Sequence, residues 1–187
     1  MSHPAPSAVI EQTKSWITNV VVGCNFCPFA GRELSRGTIH YEVLENADTE
    51  MVLGAVVKAL QQLDAEPGIE TTLLILPGSF AGFDGYLDLV EDAETLLEKE
   101  GYEGNYQLAS FHPQYLFAGS GEADPANYTN RSPHPMLHFL REESVSKAVD
   151  SYPGIEDVPN RNIAFTQEKG LVCMQQLLEA CNKNGNP

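Results

Sequence analysis

The chain has 187 residues, 42% hydrophobic and 20% charged, a composition that suits one soluble globular domain with a full core. Its 26 acidic and 11 basic residues leave a formal net charge of −15, which disfavours nucleic acid and anionic membrane surfaces as partners. No apolar run approaches the ~20 residues of a membrane span, and the N-terminal residues show no secretory leader, so the expected location is cytoplasmic.

A first helix is expected from Ser7, as its cap, to Val22, with Trp16, Ile17, Val20 and Val21 on its apolar face. Gly23 stops it. Gly23-Cys24-Asn25-Phe26-Cys27-Pro28 follows, and Pro28 can open a further turn that ends near Gly37. Residues 38–44 alternate and are β-rich, which predicts a strand. Asn46 or Asp48 caps a helix over 49–63, whose apolar positions keep helical spacing. The run 71–76 is continuously apolar and predicts a strand covered on both faces. A helix capped by Asp84 reaches about Glu100, and 106–111 form a third strand that ends at His112-Pro113. Three strands are clear, and 115–117 is the candidate for a fourth. The Gly-, Ser-, Asp- and Asn-rich connection 118–132 is long enough to be functional or mobile. Ser132 and Pro133 open a helix to about Asp150, and a last helix spans about 166–180.

Helices of this length between strands force parallel pairing and right-handed crossovers. The expected fold is a layered α/β domain. Its central sheet is mainly parallel, with three or four strands joined by βαβ crossovers, and helices flank it at both ends of the chain. Ferredoxin-like arrangements with antiparallel strands are the alternative. Residues 1–187 form one domain, with 1–6 and 182–187 as loose tails.

Cys24 and Cys27 carry the clearest chemical signal. Two thiols at this spacing can bind zinc or iron, act as a redox pair, or fill space beside Phe26 and Phe29. A thioredoxin-like motif follows a strand, whereas this one follows a helix. His112 ends a strand where open α/β sheets place ligands, which makes it a candidate acid, base or metal ligand. If 133–150 is helical, His134, His138 and Glu142 form one ridge able to hold a metal, although no His-Glu-x-x-His is present. A pair of solvated or capping histidines is the alternative.

The scarce arginines Arg32, Arg36, Arg131, Arg141 and Arg161 would hold an anion if they converge. Asn130, Arg131 and Arg141 are the substrate-binding candidates, through forked donors. Ser79, after a buried strand, is more simply a turn residue, and Cys173 and Cys181 are core or surface residues of the last helix. No phosphate loop and no Gly-x-Ser-x-Gly occurs.

Three stretches, 23–30, 110–117 and 124–142, together resemble the uncharacterised bacterial family catalogued as domain-of-unknown-function 1415. The matching residues include Cys24, Cys27, His112, Asn127, Asn130, Arg131, His134, His138, Arg141 and Glu142. The resemblance spans nearly the whole chain and implies a cytoplasmic single-domain protein, with no catalytic role attached. The sequence therefore leads to a small metal- or thiol-dependent enzyme acting on a small anionic molecule. A thiol redox protein using Cys24 and Cys27, or a non-catalytic ligand- or partner-binding protein, is the alternative.

Overall fold

The computed structural model describes residues 5–183. Helix α1 (Pro6–Trp16) runs into a π-helical segment, Ile17–Val22. Pro6, one residue before the expected cap, opens α1, and Ala5 at the cap position makes no side-chain bond. Then come α2 (Ala30–Arg36), β1 (Ile39–Val43), α3 (Thr49–Ala65), β2 (Thr71–Ile75), α4 (Phe83–Lys99) and β3 (Tyr106–Phe111). Asp48 caps α3 by accepting from the Met51 amide, whereas Gly82 takes the cap position of α4 and leaves Asp84 in its first turn. The chain closes with β4 (Met136–Arg141), α5 (Glu142–Ser151), α6 (Val158–Lys169) and α7 (Leu171–Lys183).

Two expectations fail on β4. Residues 115–117 are irregular, and the stretch expected to begin a long helix at Ser132 is a central strand instead. Pro135 pushes His134 towards extended backbone, and the Pro135 carbonyl accepts from the Leu76 amide at 2.9 Å. Leu137 and Phe139 face α3 and α4 while Met136 packs on the other side. A strand covered on both faces shows no polar alternation, so its pattern is easily read as helical.

The sheet order is β1-β2-β4-β3. β1 and β2 are parallel, and β4 lies antiparallel between β2 and β3. The sheet is thus mixed rather than mainly parallel. The three strands expected from the sequence do share one direction, and β4 is inserted among them. Buried Val56, Leu60, Leu63 and Leu89 of α3 and α4 cover one face. Val9, Trp16, Ile17, Val20 and Met174 of α1, the π segment and α7 cover part of the other.

At the chain ends, α1 already includes Pro6, and α7 includes Asn182 and Lys183. The rest of the expected tails, 1–4 and 184–187, lies outside the described residues. Gly170, with φ of 78°, divides the expected last helix into α6 and α7. Among the described residues no helix is long and apolar enough to cross a membrane.

Candidate functional site

The π segment shapes the site. Its wider turn brings the Asn19 carbonyl so close to Gly23 that a Cβ there would lie 2.9 Å from the Asn19 carbonyl carbon and nearer still to its oxygen. Only glycine fits, because the obstacle is backbone. Such π turns frequently mark functional positions. The Cys24–Cys27 loop follows and is held from α6. Arg161 donates to the Asn25 carbonyl at 2.6 Å, and Asn162 donates to the Phe26 carbonyl at 2.8 Å. Asn25 sits at φ of 55°, and Phe26 is buried edge-on to Phe165.

The two thiols face different surroundings. Cys24 is part-buried against the core cluster to which the π segment and α7 contribute. Burial pushes its thiol pKa up, Cys173 adds to the rise and Lys169 opposes it. A raised thiol is a poor thiolate source. Cys27 instead lines two cavities, of about 380 Å³ and about 590 Å³, which also share Val21 and Phe111.

The smaller cavity lies on the sheet face opposite α3 and α4, between the strands, the Cys27–Glu33 segment and α5. Trp16, Ile17, Phe29, Leu73, Leu140 and Val145 make its lining mostly apolar. Its charged groups are Arg32 and Arg141 against Glu33 and Glu70, a formal sum of zero (+2 − 2). His138 also lines it, from β4.

The protonation of His138 follows from its partners. The one hydroxyl proton of Thr71 goes to the Phe139 carbonyl at 2.6 Å. The Thr71 oxygen must then accept from the His138 Nε2–H, also at 2.6 Å. The ring is held as the Nε2–H tautomer with Nδ1 as a lone-pair acceptor. Burial lowers its pKa to about 4, so it is neutral at pH 7.

The other candidates are tied into the scaffold. His112 is fully buried; it donates from Nε2 to the Phe80 carbonyl at 2.8 Å and accepts at Nδ1 from the Gln114 amide at 3.0 Å. Burial lowers its pKa. Both nitrogens are engaged, and the ring packs against Phe83 and Tyr86. His112 thus pins the Phe80 loop, where φ is 51°. Tyr86 donates to the Met136 carbonyl and accepts from the Phe111 amide. His134 lies before β4 and donates to Gln12 Oε1 at 2.8 Å; burial takes its pKa to about 4. Glu142 opens α5. The helical ridge His134–His138–Glu142 therefore does not exist.

Arg131 donates to the Tyr115 and Glu122 carbonyls and lies over the Tyr128 ring. Arg141 donates to the carbonyls of Leu63, Glu66 and Ile69 and to Tyr106 Oη. It closes the C-terminal end of α3, where a cation is favoured by the helix dipole. Asn130 lines the larger cavity and donates to the Ser110 carbonyl. Asn127, fully buried, organises the neighbouring loop through the Phe117 amide and the Gly121 carbonyl. Ser79 is a turn residue whose hydroxyl accepts from the Ala47 amide at 2.7 Å.

Among the described residues no three of His, Cys, Asp and Glu are gathered as a metal-ligand set. The expected zinc or iron ligands Cys24, Cys27, His112, His134, His138 and Glu142 are dispersed, and of them only Cys27 and His138 line the smaller cavity. Sequence reasoning missed Trp16, Glu70 and Thr71 as wall residues. The polar Glu70-Thr71-Thr72 entry to an otherwise apolar strand was the available signal.

The architecture and site define a helix-flanked mixed α/β domain with an apolar cavity on one sheet face. The chain matches the family model described as "Protein of unknown function (DUF1415)" over residues 8–176, and it belongs to that family. No curated protein and no solved structure matches it significantly.

Proposed function

We propose that this chain binds a small, largely apolar molecule in the cavity beneath the Cys27–Glu33 segment, with Cys27 and His138 as the reactive groups on its wall. The observation that carries this reading is that one cavity of about 380 Å³ is lined by both side chains. The volume falls within the range of small-molecule sites, and apolar walls with few polar groups are their usual form. A neutral imidazole with an unprotonated Nδ1 can accept a hydrogen bond from a bound group. The balanced charge of the lining, and the commitment of Arg131 and Arg141 to backbone carbonyls, favour an apolar occupant over the small anion expected from the sequence.

The chain's single tryptophan, Trp16, lines this cavity and reports on its occupancy. Apolar probes such as ethylbenzene are expected to change its emission saturably and to slow alkylation of Cys27 by iodoacetamide, mapped by mass spectrometry. Ala109→Phe, which adds a ring to the cavity wall, is expected to abolish both effects while leaving the far-UV circular dichroism unchanged. Non-saturable emission, together with equal Cys27 alkylation with and without probe, would sink the reading.

A further inference from the structure

We infer that the polar corner of this cavity selects a molecule that presents an N–H donor, a protonated primary amine on an apolar body, over the matching carboxylate. This rests on the binding role proposed above and specifies its ligand class.

The inference comes from counting donors and acceptors on the wall. Arg32 is paired through Nε with Glu33 at 2.8 Å, and its side chain is 62% exposed, so its remaining N–H groups are open to water; the other Glu33 oxygen accepts from the Thr38 hydroxyl at 2.7 Å. Arg141 lines the cavity, but its guanidinium is turned onto three backbone carbonyls and a phenol. It forms no ion pair among the described residues. The Thr71 hydroxyl has given its proton to Phe139 and receives that of His138.

What remains is weighted towards acceptors. His138 Nδ1 has a lone pair and no donor among the described residues. Glu70, the neighbour of Thr71, also lines the cavity. The residue is part-buried, its Oε1 has no hydrogen-bond partner, and the carboxylate has no ion pair among the described residues. A buried oxygen left without a donor is costly, more so when charged. Gln107 and Ser144 can donate or accept, so they do not favour either charge. An ammonium brings three donors and a positive charge to an unpaired carboxylate and a bare imidazole nitrogen. A carboxylate would bring only acceptors to a place that already has too many. The apolar body of the same molecule is matched by Leu73, Leu140 and Val145.

A matched series separates this inference from the reading it rests on. Ethylbenzene, 2-phenylethanol, 2-phenylethylamine and phenylacetate are titrated against Trp16 emission at pH 7.5, with wild type and Glu70→Gln. The amine is expected to bind roughly ten-fold or more tightly than phenylacetate. Glu70→Gln is expected to reduce that preference, read as the amine-to-ethylbenzene affinity ratio within each protein. If ethylbenzene binds and phenylacetate equals or exceeds the amine, the donor preference is overturned and the apolar site stands. The donor preference is equally overturned if Glu70→Gln leaves the amine-to-ethylbenzene ratio unchanged. If no member of the series binds, both fall.

Discussion

Lowering the pH from 7 to 5 is expected to destabilise the fold through two histidines. His134 and His138 are both taken from 6.5 to about 4 by burial. Between those values the unfolded chain binds a proton that the folded chain refuses. Stability then rises with pH: it is fully present above about 6.5 and is lost as pH falls towards 4. For one such group the linkage integral between pH 7 and pH 5 is about 2 kcal/mol, so the pair together contributes about 4 kcal/mol, a sizeable part of a typical domain stability. His112, shifted down by burial as well, acts with the same sign. Urea denaturation at pH 7, 6 and 5 measures the loss. His138→Gln, which keeps a donor for Thr71, is expected to flatten the pH dependence by about 2 kcal/mol over the same interval, and His134→Gln likewise. The readout is the slope, so an overall loss of stability in a variant does not confuse it. Parallel curves for the wild type and His138→Gln would refute the argument.

Two further outcomes follow from backbone geometry and helix termination. Gly23→Ala forces the π segment to shift away from the Asn19 carbonyl and is expected to cost about 1–3 kcal/mol, read by thermal unfolding; an unchanged midpoint would show that the turn yields freely. Arg141→Met leaves the carbonyls of Leu63, Glu66 and Ile69 without their charged donor and is expected to cost about 2–4 kcal/mol. Hydrogen exchange should then rise first at the C-terminal end of α3, and uniform exchange across the domain would contradict the capping role.

Much of the scaffold is visible in local patterns. The helix before the Cys-x-x-Cys, the Asp48 cap, the apolar run at 71–75 and the strand at 106–111 each depend on neighbouring residues, and local chemistry specifies them well. β4 does not behave this way. Its residues Met136-Leu137-His138-Phe139-Leu140 are apolar on both sides, so neither period dominates, and the vacant position between β2 and β3 decides that they are a strand. Reading this stretch as helix placed His134, His138 and Glu142 on one ridge. In the strand, His138 points towards Thr71 and the cavity, while His134 turns to α1.

The Cys-x-x-Cys was likewise only half legible. Its spacing announces two thiols close along the chain, and its position after a helix follows from local pattern. Composition cannot say that a π turn and two α6 side chains hold the loop so that Cys24 packs against the core while Cys27 borders two cavities. Nor can it say that His112, Arg131 and Arg141 spend their polar atoms on backbone groups up to 78 positions away in sequence. Hydrogen-bond partners of this kind exist only once distant segments meet. The three co-directional strands and the two helices between them, over residues 38–111, were therefore set by sequence. The insertion of β4, the charge balance of the cavity and the presence of both Cys27 and His138 on its wall were decided by tertiary contact.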